Sequence, residues 1–579
     1  MSLPVHFLRP AAQGFAIGLL IAVAGCGISP EGEPKQKAAA QTTAPVLAEP
    51  LAKPASPPPM ALREESAKLQ RSAGYVAQAP LASIAPAPMA DLQQPGYVDV
   101  PREQYQDLPD NPIHAVAQDP VSTFSIDVDT GSYANVRRLL NEGRLPPKGA
   151  VRLEEMVNYF PYDYALPSAE GSPFGITTEL APTPWNPNTR LLRVGIKASD
   201  RSVAELPPAN LVFLVDVSGS MDRREGLPLV KSTLKLLVDQ LRDQDKVSLV
   251  VYAGDSRVVL EPTSGRDKAS IRNAIEQLQA GGSTAGASGI ELAYRMAQKG
   301  YRPEGINRIL LATDGDFNVG ISDFETLKQM AAEKRRSGVS LTTLGYGVDN
   351  YNEQLMEQLA DAGDGNYAYI DNLREARKVL VDQLSSTLAV VAKDVKIQLE
   401  FNPSQVSEYR LLGYENRALQ REDFSNDKVD AGEIGAGHTV TALYEIVPAG
   451  GKGWMEPLRY QNGAAKSDAQ GDELALLRVR YKGPQGGASQ LIERPIRAAE
   501  QRADIAQASD DLRFAAAVAA FAQQLEGGRY TGAFDIGDTV QLARAARGED
   551  RFGLRGEFVQ LAELAQSLQT PLPEQARIE

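Results

Sequence analysis

The fold of this chain is decided by the stretch Leu211-Val212-Phe213-Leu214-Val215-Asp216-Val217-Ser218-Gly219-Ser220. Its first five residues form a continuous apolar run, which is typical of a strand buried on both faces of a parallel sheet. The run ends in an acid and a Ser-Gly-Ser turn, and open α/β sheets bind ligands at this carboxyl edge. The oxygens of Asp216, Ser218 and Ser220 therefore predict a site for a hard cation.

The segments on either side extend this strand into an alternating pattern. Apolar strand patterns occupy 211–217, 246–253, 308–313, 339–346 and 366–370, with an edge strand at 257–260, and helical patterns fall at 227–242, 268–279, 286–298, 323–336 and 352–362. This alternation predicts a doubly wound, mostly parallel α/β sheet of Rossmann-like type. A long final helix over 373–392 is expected to close it.

Two further loops complete the proposed cation site. Asp314 directly follows the strand 308–313, and a doubly wound topology brings it to the same sheet edge as Asp216. The loop 281–286 is rich in glycine and presents the hydroxyl of Thr284. The order and setting of these elements resemble the metal-ion-dependent adhesion site (MIDAS) of von Willebrand factor type A (VWA) domains.

The ligand types indicate the metal. Carboxylates and hydroxyls without nearby His or Cys favour Mg²⁺, with Mn²⁺ or Ca²⁺ as substitutes. The resemblance implies that Ser218, Ser220 and Thr284 approach the metal directly or nearly so, and that Asp216 and Asp314 bind directly or through water. The shell is then neutral and one oxygen short, so an Asp or Glu of a partner protein is expected to complete it. Asp316 is either a supporting residue of this site or an exposed loop acid.

Charge excludes other classes of partner. The chain has 579 residues, and 60 Lys and Arg against 74 Asp and Glu give a net charge of −14. Such a balance provides no general attraction for phosphate backbones or anionic lipid. Nucleic acid is therefore not expected as a partner.

The sequence also argues against an enzyme. Its three histidines are His6, His114 and His438, and the segment 286–289 lacks the Gly-x-Ser-x-Gly spacing of a hydrolase nucleophile. It contains neither a His-Glu-x-x-His motif nor a glycine-rich phosphate loop with a lysine. A metal-dependent hydrolase remains the least favoured alternative.

One motif invites a different interpretation. The triplet Asp129-Thr130-Gly131 matches that of aspartic proteases, but a second copy, which would supply the paired carboxylate, is absent. The pair Asp127 and Asp129 also lacks the downstream oxygens of an EF-hand loop. We therefore expect Asp129 or Thr130 to cap the helix that follows.

The N-terminus has the pattern of an export signal. Residues 1–25 contain Arg9, a short apolar stretch and small residues that lead to Cys26, the only cysteine. This pattern resembles a bacterial lipoprotein signal, with an ordinary secretory peptide as the alternative. The resemblance implies lipid on Cys26, and Gly27 after it implies sorting to the outer membrane, on its periplasmic face. The Pro- and Ala-rich segment 26–108 is expected to be a disordered tether.

The remaining segments flank the α/β domain. We divide the chain into an α+β region at 109–207, the VWA domain at 208–392, a β-rich region at 393–500 and a helical region at 501–579. Strand patterns lie at 174–180, 190–197, 395–400, 409–412, 439–446 and 473–481, and helical ones at 132–142, 510–525 and 554–568. Because strands occur on both sides of the VWA domain, we expect it to be inserted into one β-sandwich. The last helices are expected to form a cap or, less favoured, a groove for a partner. Trp185 is expected to be a packing anchor.

The flanks have a resemblance of their own. Segments 121–133, 412–417 and 429–438 resemble a family of bacterial VWA lipoproteins. The resemblance implies a shared architecture but no established biochemical activity. Glu433 and His438 in the last segment are either a metal pair or turn residues of a Gly-rich loop.

These inferences predict a lipid-anchored, divalent-metal-dependent protein-binding module of the bacterial cell envelope. The alternative is a structural envelope protein in which the metal only stabilises the fold.

Overall fold

The computed structural model describes residues 103, 105–106, 108–167, 172–282, 286–315, 324–348, 351–456 and 471–569. The predicted signal peptide, Cys26 and nearly all of the predicted tether lie outside these ranges. None of the helices within them is long and apolar enough to cross a bilayer.

Before the α/β domain the described residues form the elements β1 (His114–Ala115), β2 (Val121–Ser125), α1 (Gly131–Asn141), α2 (Leu153–Asn158), β3 (Phe174–Thr183) and β4 (Asn186–Ala198). β3 and β4 form a hairpin whose strands extend beyond the predicted 174–180 and 190–197, with Pro182 opposite Arg190. Trp185 at its tip is buried against the C-terminal helices, which confirms it as a packing anchor.

The described part of the α/β domain contains these strands and helices: β5 (Ala209–Asp216), α3 (Leu227–Gln240), β6 (Lys246–Tyr252), β7 (Ser256–Ser264), α4 (Lys268–Glu276), α5 (Gly286–Lys299), β8 (Ile306–Thr313), α6 (Phe324–Lys334), β9 (Ser340–Gly345), α7 (Glu353–Ala362) and β10 (Tyr367–Tyr369). The strand order is β10-β9-β8-β5-β6-β7. All pairs are parallel except that of the edge strand β7. The predicted doubly wound, mostly parallel sheet is confirmed.

β5 lies between β8 and β6 in the middle of the sheet, and every one of its residues is buried. Leu211, Phe213 and Val215 pack into the core on one face of the sheet, while Val212 and Leu214 pack into the core on the other. A strand covered on both faces exposes polar groups only where it ends. Its terminal acid is therefore held at the edge of the sheet.

After β10 the ranges that the structure describes form α8 (Leu373–Arg377), α9 (Leu384–Leu388), β11 (Val390–Phe401), β12 (Val406–Leu412), β13 (Ile434–Gly435), β14 (Thr439–Pro448), β15 (Glu473–Gly483), β16 (Gly486–Arg497), α10 (Asp510–Leu525), α11 (Ile536–Ala545) and α12 (Leu554–Gln569). α11 and β16 were not anticipated from the sequence.

The single closing helix expected over 373–392 is wrong. A π-helical turn, Lys378–Asp382, separates α8 from α9. The hydroxyl of Thr387 donates to the carbonyl of Val379 at 3.1 Å across this turn. β11 begins only two residues after Leu388, because the valines that follow pair in the sandwich rather than extend the helix.

The flanks of the α/β domain build two sheets together. One has the order β1-β12-β14-β4-β3, and in the other, β13-β11-β15-β16, β2 also pairs with β11. Both sheets contribute to one apolar core, through Val194 and Tyr444 from the first and Ile397 and Val479 from the second. The α/β domain is thus inserted between strands of one β-sandwich. The predicted limits 109–207, 208–392, 393–500 and 501–579 stay predictions.

The C-terminal helices form a layer with α1 and α2. α10 begins and ends at the residues expected from its Ala-rich pattern, and it is buried from Phe514 to Ala522. The ring of Phe160 lies 4.9 Å from that of Phe514 and 5.8 Å from that of Phe558 in α12. The Ala-rich face is therefore interior packing, as expected of a helical cap.

The cap expected at Asp129 or Thr130 is confirmed in position but not in its side-chain bond. Thr130 is the N-cap of α1 but makes no side-chain capping bond. Asp129 instead accepts a hydrogen bond from the backbone N–H of Tyr367 in β10 at 2.9 Å. Its carboxylate therefore links the N-terminal flank to an edge strand of the α/β sheet.

Asp129 belongs to an ion cluster around Arg417. The guanidinium contacts Asp127 at 3.2 Å, Asp129 at 3.3 Å, Glu357 at 3.1 Å and Asp361 at 2.5 Å. One oxygen from each of Asp127, Asp129 and Glu357 lies within 4.8 Å of the other two, and all three residues are buried. Burial raises the pKa of Glu357 to about 7, and the charge of Arg417 opposes that rise. Arg417 is the cation that these carboxylates share.

Replacement of Arg417 by Met should destabilise the fold by about 3–5 kcal/mol at about pH 8, because it leaves buried carboxylates without their cation. The loss should be smaller at about pH 6. The pKa of Glu357 lies above its unfolded value, so protonation at the lower pH relieves the repulsion in the folded state. Denaturant unfolding at both pH values measures the difference. The exposed Arg421→Met is the control, and an equal loss in both variants would contradict the role of the cluster.

Candidate metal site

Asp216 occupies the last position of β5 and is fully buried. Its Oδ1 accepts a hydrogen bond from the backbone N–H of Ser218 at 2.9 Å. Its Oδ2 accepts one from the hydroxyl of Thr313 at 2.8 Å. The carboxylate is therefore held in a fixed orientation between the ends of two neighbouring strands.

The two serines lie on the turn that follows. The Oγ atoms of Ser218 and Ser220 are 2.9 Å apart, with Ser218 buried and Ser220 half-buried. The backbone N–H of Gly219 donates to the carbonyl of Gly282 at 3.0 Å. Gly282 has a φ of +95°, a conformation that favours glycine. The turn is thus tied to the loop that leads to Thr284, although Thr284 itself lies outside the described residues.

Asp314 enters the site from β8. It is 2% exposed and follows Thr313 at the end of that strand. Burial, and then the charge of Asp314, raise the pKa of Asp216 to about 6. The two carboxylates therefore feel each other's charge.

The chemistry of Asp216, Asp314 and the neighbouring hydroxyls suits a divalent cation. Two buried carboxylates that repel each other are stabilised by a positive charge between them. The donors at this edge are carboxylate and hydroxyl oxygens, which suit Mg²⁺ better than a softer metal. The structure brings together Asp216, Ser218, Ser220 and Asp314. The participation of Thr284 stays a prediction, and Asp316 lies outside the described residues.

Two neighbours of the site were missed by the sequence analysis. The hydroxyl of Thr313 donates a hydrogen bond to Asp216, and its oxygen accepts one from the backbone N–H of Gly315 at 3.1 Å. Tyr252 at the end of β6 lies opposite Asp216 in the sheet register, and burial followed by the charge of Asp216 raises its pKa. The sequence does carry a signal for both residues, because each is a polar residue at the end of a strand that neighbours β5.

The other candidate ligands have different partners. Glu433 forms an ion pair with Lys393 at 3.0 Å. The backbone N–H of His438 donates a hydrogen bond to the carbonyl of Gly435 at 3.2 Å, which closes a turn. These contacts favour the turn interpretation of the Gly-rich loop.

Comparison with known families defines the class of the α/β domain. Residues 210–383 match the family model of the von Willebrand factor type A domain. Residues 99–193 match a model described as von Willebrand factor, and residues 386–568 match one described as the C-terminal part of the uncharacterized protein YfbK. The inserted domain is therefore a VWA domain.

One similar protein covers most of the chain. It is the uncharacterized protein YfbK of Escherichia coli (strain K12), 53% identical over 461 residues, which are 78% of this chain and 79% of that protein. The chain belongs to the YfbK family.

More distant similarity is confined to part of the chain. Human inter-alpha-trypsin inhibitor heavy chain H4 is 30% identical over 187 residues, which are 31% of this chain and 19% of that protein. A solved structure of a von Willebrand factor type A protein from Catenulispora acidiphila has a TM-score of 0.39 at 17% identity, with 68% of this chain and 91% of that chain covered.

Binding of Mg²⁺ to the chain should weaken as the pH falls through 6. The pKa of Asp216 is raised to about 6, so below this pH a proton occupies the carboxylate and competes with the metal. Each further pH unit should cost up to about tenfold in apparent affinity. Calorimetric titration with Mg²⁺ on both sides of pH 6 measures this dependence, and an affinity that does not change would contradict the assignment.

Proposed function

We propose that this chain is a lipid-anchored, divalent-metal-dependent protein-binding module of the bacterial cell envelope. Asp216, Ser218, Ser220, Thr284 and Asp314 hold Mg²⁺, or Mn²⁺ or Ca²⁺ in its place. A carboxylate from an Asp or Glu of the partner protein completes the metal shell.

One observation carries this proposal. Asp216 and Asp314 are both buried at the carboxyl edge of the sheet, and the oxygens of Ser218 and Ser220 lie on the adjoining turn. A cation held there compensates the two negative charges and leaves no surplus charge. A hard cation in such a shell takes a further oxygen ligand, which a protein carboxylate supplies.

The class of the domain agrees with binding rather than catalysis. VWA domains typically mediate protein–protein interaction or adhesion. The names of the two relatives described above, YfbK and inter-alpha-trypsin inhibitor heavy chain H4, indicate no reaction. We therefore propose no catalytic role for the metal.

The place of action rests on the N-terminal sequence. Lipid on Cys26 would hold the folded part at a membrane, and two or more acyl chains make such anchoring stable. A tether of about 80 residues, treated as a flexible coil, spans on the order of 50 Å. With Gly27 after the cysteine, we propose the periplasmic face of the outer membrane.

The partner is tested by crosslinking in intact cells followed by pull-down, with and without a chelator. Ser220→Ala combined with Thr284→Ala should abolish specific capture, because it removes two of the metal's oxygen ligands. The matched control is Ser232→Ala, a half-buried serine whose hydroxyl donates only to the carbonyl of Pro228 among the described residues.

The thermal midpoint separates this function from the structural alternative. The double variant should unfold within a few degrees of the parent in the absence of metal. Capture that survives both chelation and the double substitution would contradict metal-dependent binding. A large loss of stability with no change in captured proteins would favour a metal that only stabilises the fold.

Anchoring is tested separately. Cys26→Ser should move the chain from the membrane fraction to the soluble periplasmic fraction, because the acceptor of the lipid is lost. Gly27→Asp should keep the lipid but retain the protein in the inner membrane. Fractionation and mass spectrometry of the mature N-terminus measure both, and a Cys26→Ser protein that still sediments with membranes would contradict the anchor.

A further inference from the structure

A cavity of about 530 Å³ lies where the VWA domain, the β-sandwich and the helical cap meet. The α8–α9 segment forms one wall, and the end of β4 with the turn before β14 forms a second. The chain around Phe552 closes the third side. We call this space the basic cavity, because of the side chains that line it: Lys197, Arg374, Arg377, Lys378, Arg551 and His438.

The charge of the basic cavity is opposite to that of the chain. Among the described residues, its walls carry five lysines and arginines and two carboxylates, Asp200 and Asp382. The whole chain has a net charge of −14. A concave surface lined by one sign of charge concentrates ions of the other sign. The cavity therefore attracts anions although the protein as a whole repels them.

Three of the cations are held in place by protein groups. Lys197 donates to the carbonyl of Gly437 at 2.6 Å. Lys378 contacts Glu375 at 3.3 Å and lies 3.4 Å from the centre of the Tyr159 ring. The guanidinium of Arg374 contacts Glu557 at 3.2 Å and donates to a backbone carbonyl at 2.9 Å. These contacts fix the three side chains in place. Glu375 and Glu557 offset the charges of Lys378 and Arg374, whereas Lys197 has no ion pair among the described residues.

The other two cations remain available. Arg377 and Arg551 are exposed, and among the described residues no carboxylate lies within ion-pair distance of either guanidinium. A guanidinium presents a planar fork of N–H donors that matches phosphate or carboxylate oxygens. These two side chains are suited to bind an anion directly.

His438 lies at the wall of the basic cavity and has a ring nitrogen that is unpaired within the part of the chain that the structure describes. Its Nδ1 is buried and has no hydrogen-bond partner among the described residues. Burial, and then the charges of Lys378 and Lys197, lower its pKa to about 4. A buried polar atom of this kind is stabilised when a ligand or an ordered water pairs with it.

We propose that the basic cavity binds a small molecule with a phosphate or carboxylate group, held by Arg377 and Arg551 against the wall of Lys197 and Lys378. The volume is within the range of small-molecule sites. Phe160, Tyr162 and Phe552 also line it and give an apolar surface for the rest of the ligand. The inference does not depend on the metal site.

The test follows the ring resonance of His438 in the full chain labelled with ¹³C-histidine. His438→Gln identifies the signal among the three histidines by its loss. The probes are inorganic phosphate and citrate, added at constant ionic strength against sodium chloride. Each anion that binds should shift the His438 signal saturably and raise its apparent pKa by about one unit or more, as expected of an opposite charge nearby.

The binding residues are tested with exposed arginines only, so that the fold is not put at risk. Arg377→Gln combined with Arg551→Gln should weaken the affinity of the chain for the anion by about tenfold or more, because charge-assisted hydrogen bonds are lost. The matched control Arg336→Gln, also exposed, should leave the titration unchanged. A response to phosphate alone assigns a phosphate ligand, and one to citrate alone a carboxylate ligand. An equal response to chloride, no saturable shift, or the same affinity in the double variant would overturn the proposal.

Discussion

The meeting of Asp216 and Asp314 at one edge of a parallel sheet is the constraint on which the site depends. β5 and β8 are adjacent parallel strands, and their register sets Val215 opposite Ala312. Both strands are buried along their length, so neither acid can move away without disturbing two cores. The two carboxylates repel each other, and the charge of Asp314 contributes to the raised pKa of Asp216. A bound cation would convert this repulsion into attraction, so the sheet preorganises the proposed metal site.

Two arginines, Arg417 and Arg137, join the inserted domain to its flanks. Arg417 joins Asp127 and Asp129 of the N-terminal flank to Glu357 in α7 of the VWA domain. Arg137 in α1 pairs with Glu375 of α8 and Glu557 of α12, which ties the end of the VWA domain to the helical cap. Buried ion pairs add little net stability but penalise any arrangement that separates them. The basic cavity lies beside the Arg137 pairs, because its Lys378 and Arg374 contact the same Glu375 and Glu557. A ligand there would contact the VWA domain, the β-sandwich and the helical cap.

The sequence predicted those features that depend on local pattern. The alternation of buried strands and amphipathic helices gave the order of the α/β elements, and α10 was predicted residue for residue. The turn at Ser218 and the acid at Asp314 were found because each directly follows an apolar run. Features that depend on distant partners were missed. The local sequence predicts a helix cap at Asp129 or Thr130 and does not reveal the partners of Asp129, because Tyr367 and Arg417 are more than 200 residues away. The continuous helical pattern over 373–392 likewise hid the pairing of β11 with strands from both flanks.

The central claim is that Asp216, Ser218, Ser220, Thr284 and Asp314 hold one divalent cation. The most direct measurement is a crystal structure of the protein grown with Mn²⁺, with data collected at a wavelength that gives anomalous signal from manganese. The account predicts an anomalous peak within coordination distance of the hydroxyls of Ser218 and Ser220, at the edge of the sheet between Asp216 and Asp314. Well-ordered density for these residues with no peak among them, at a manganese concentration that saturates binding in solution, would contradict it.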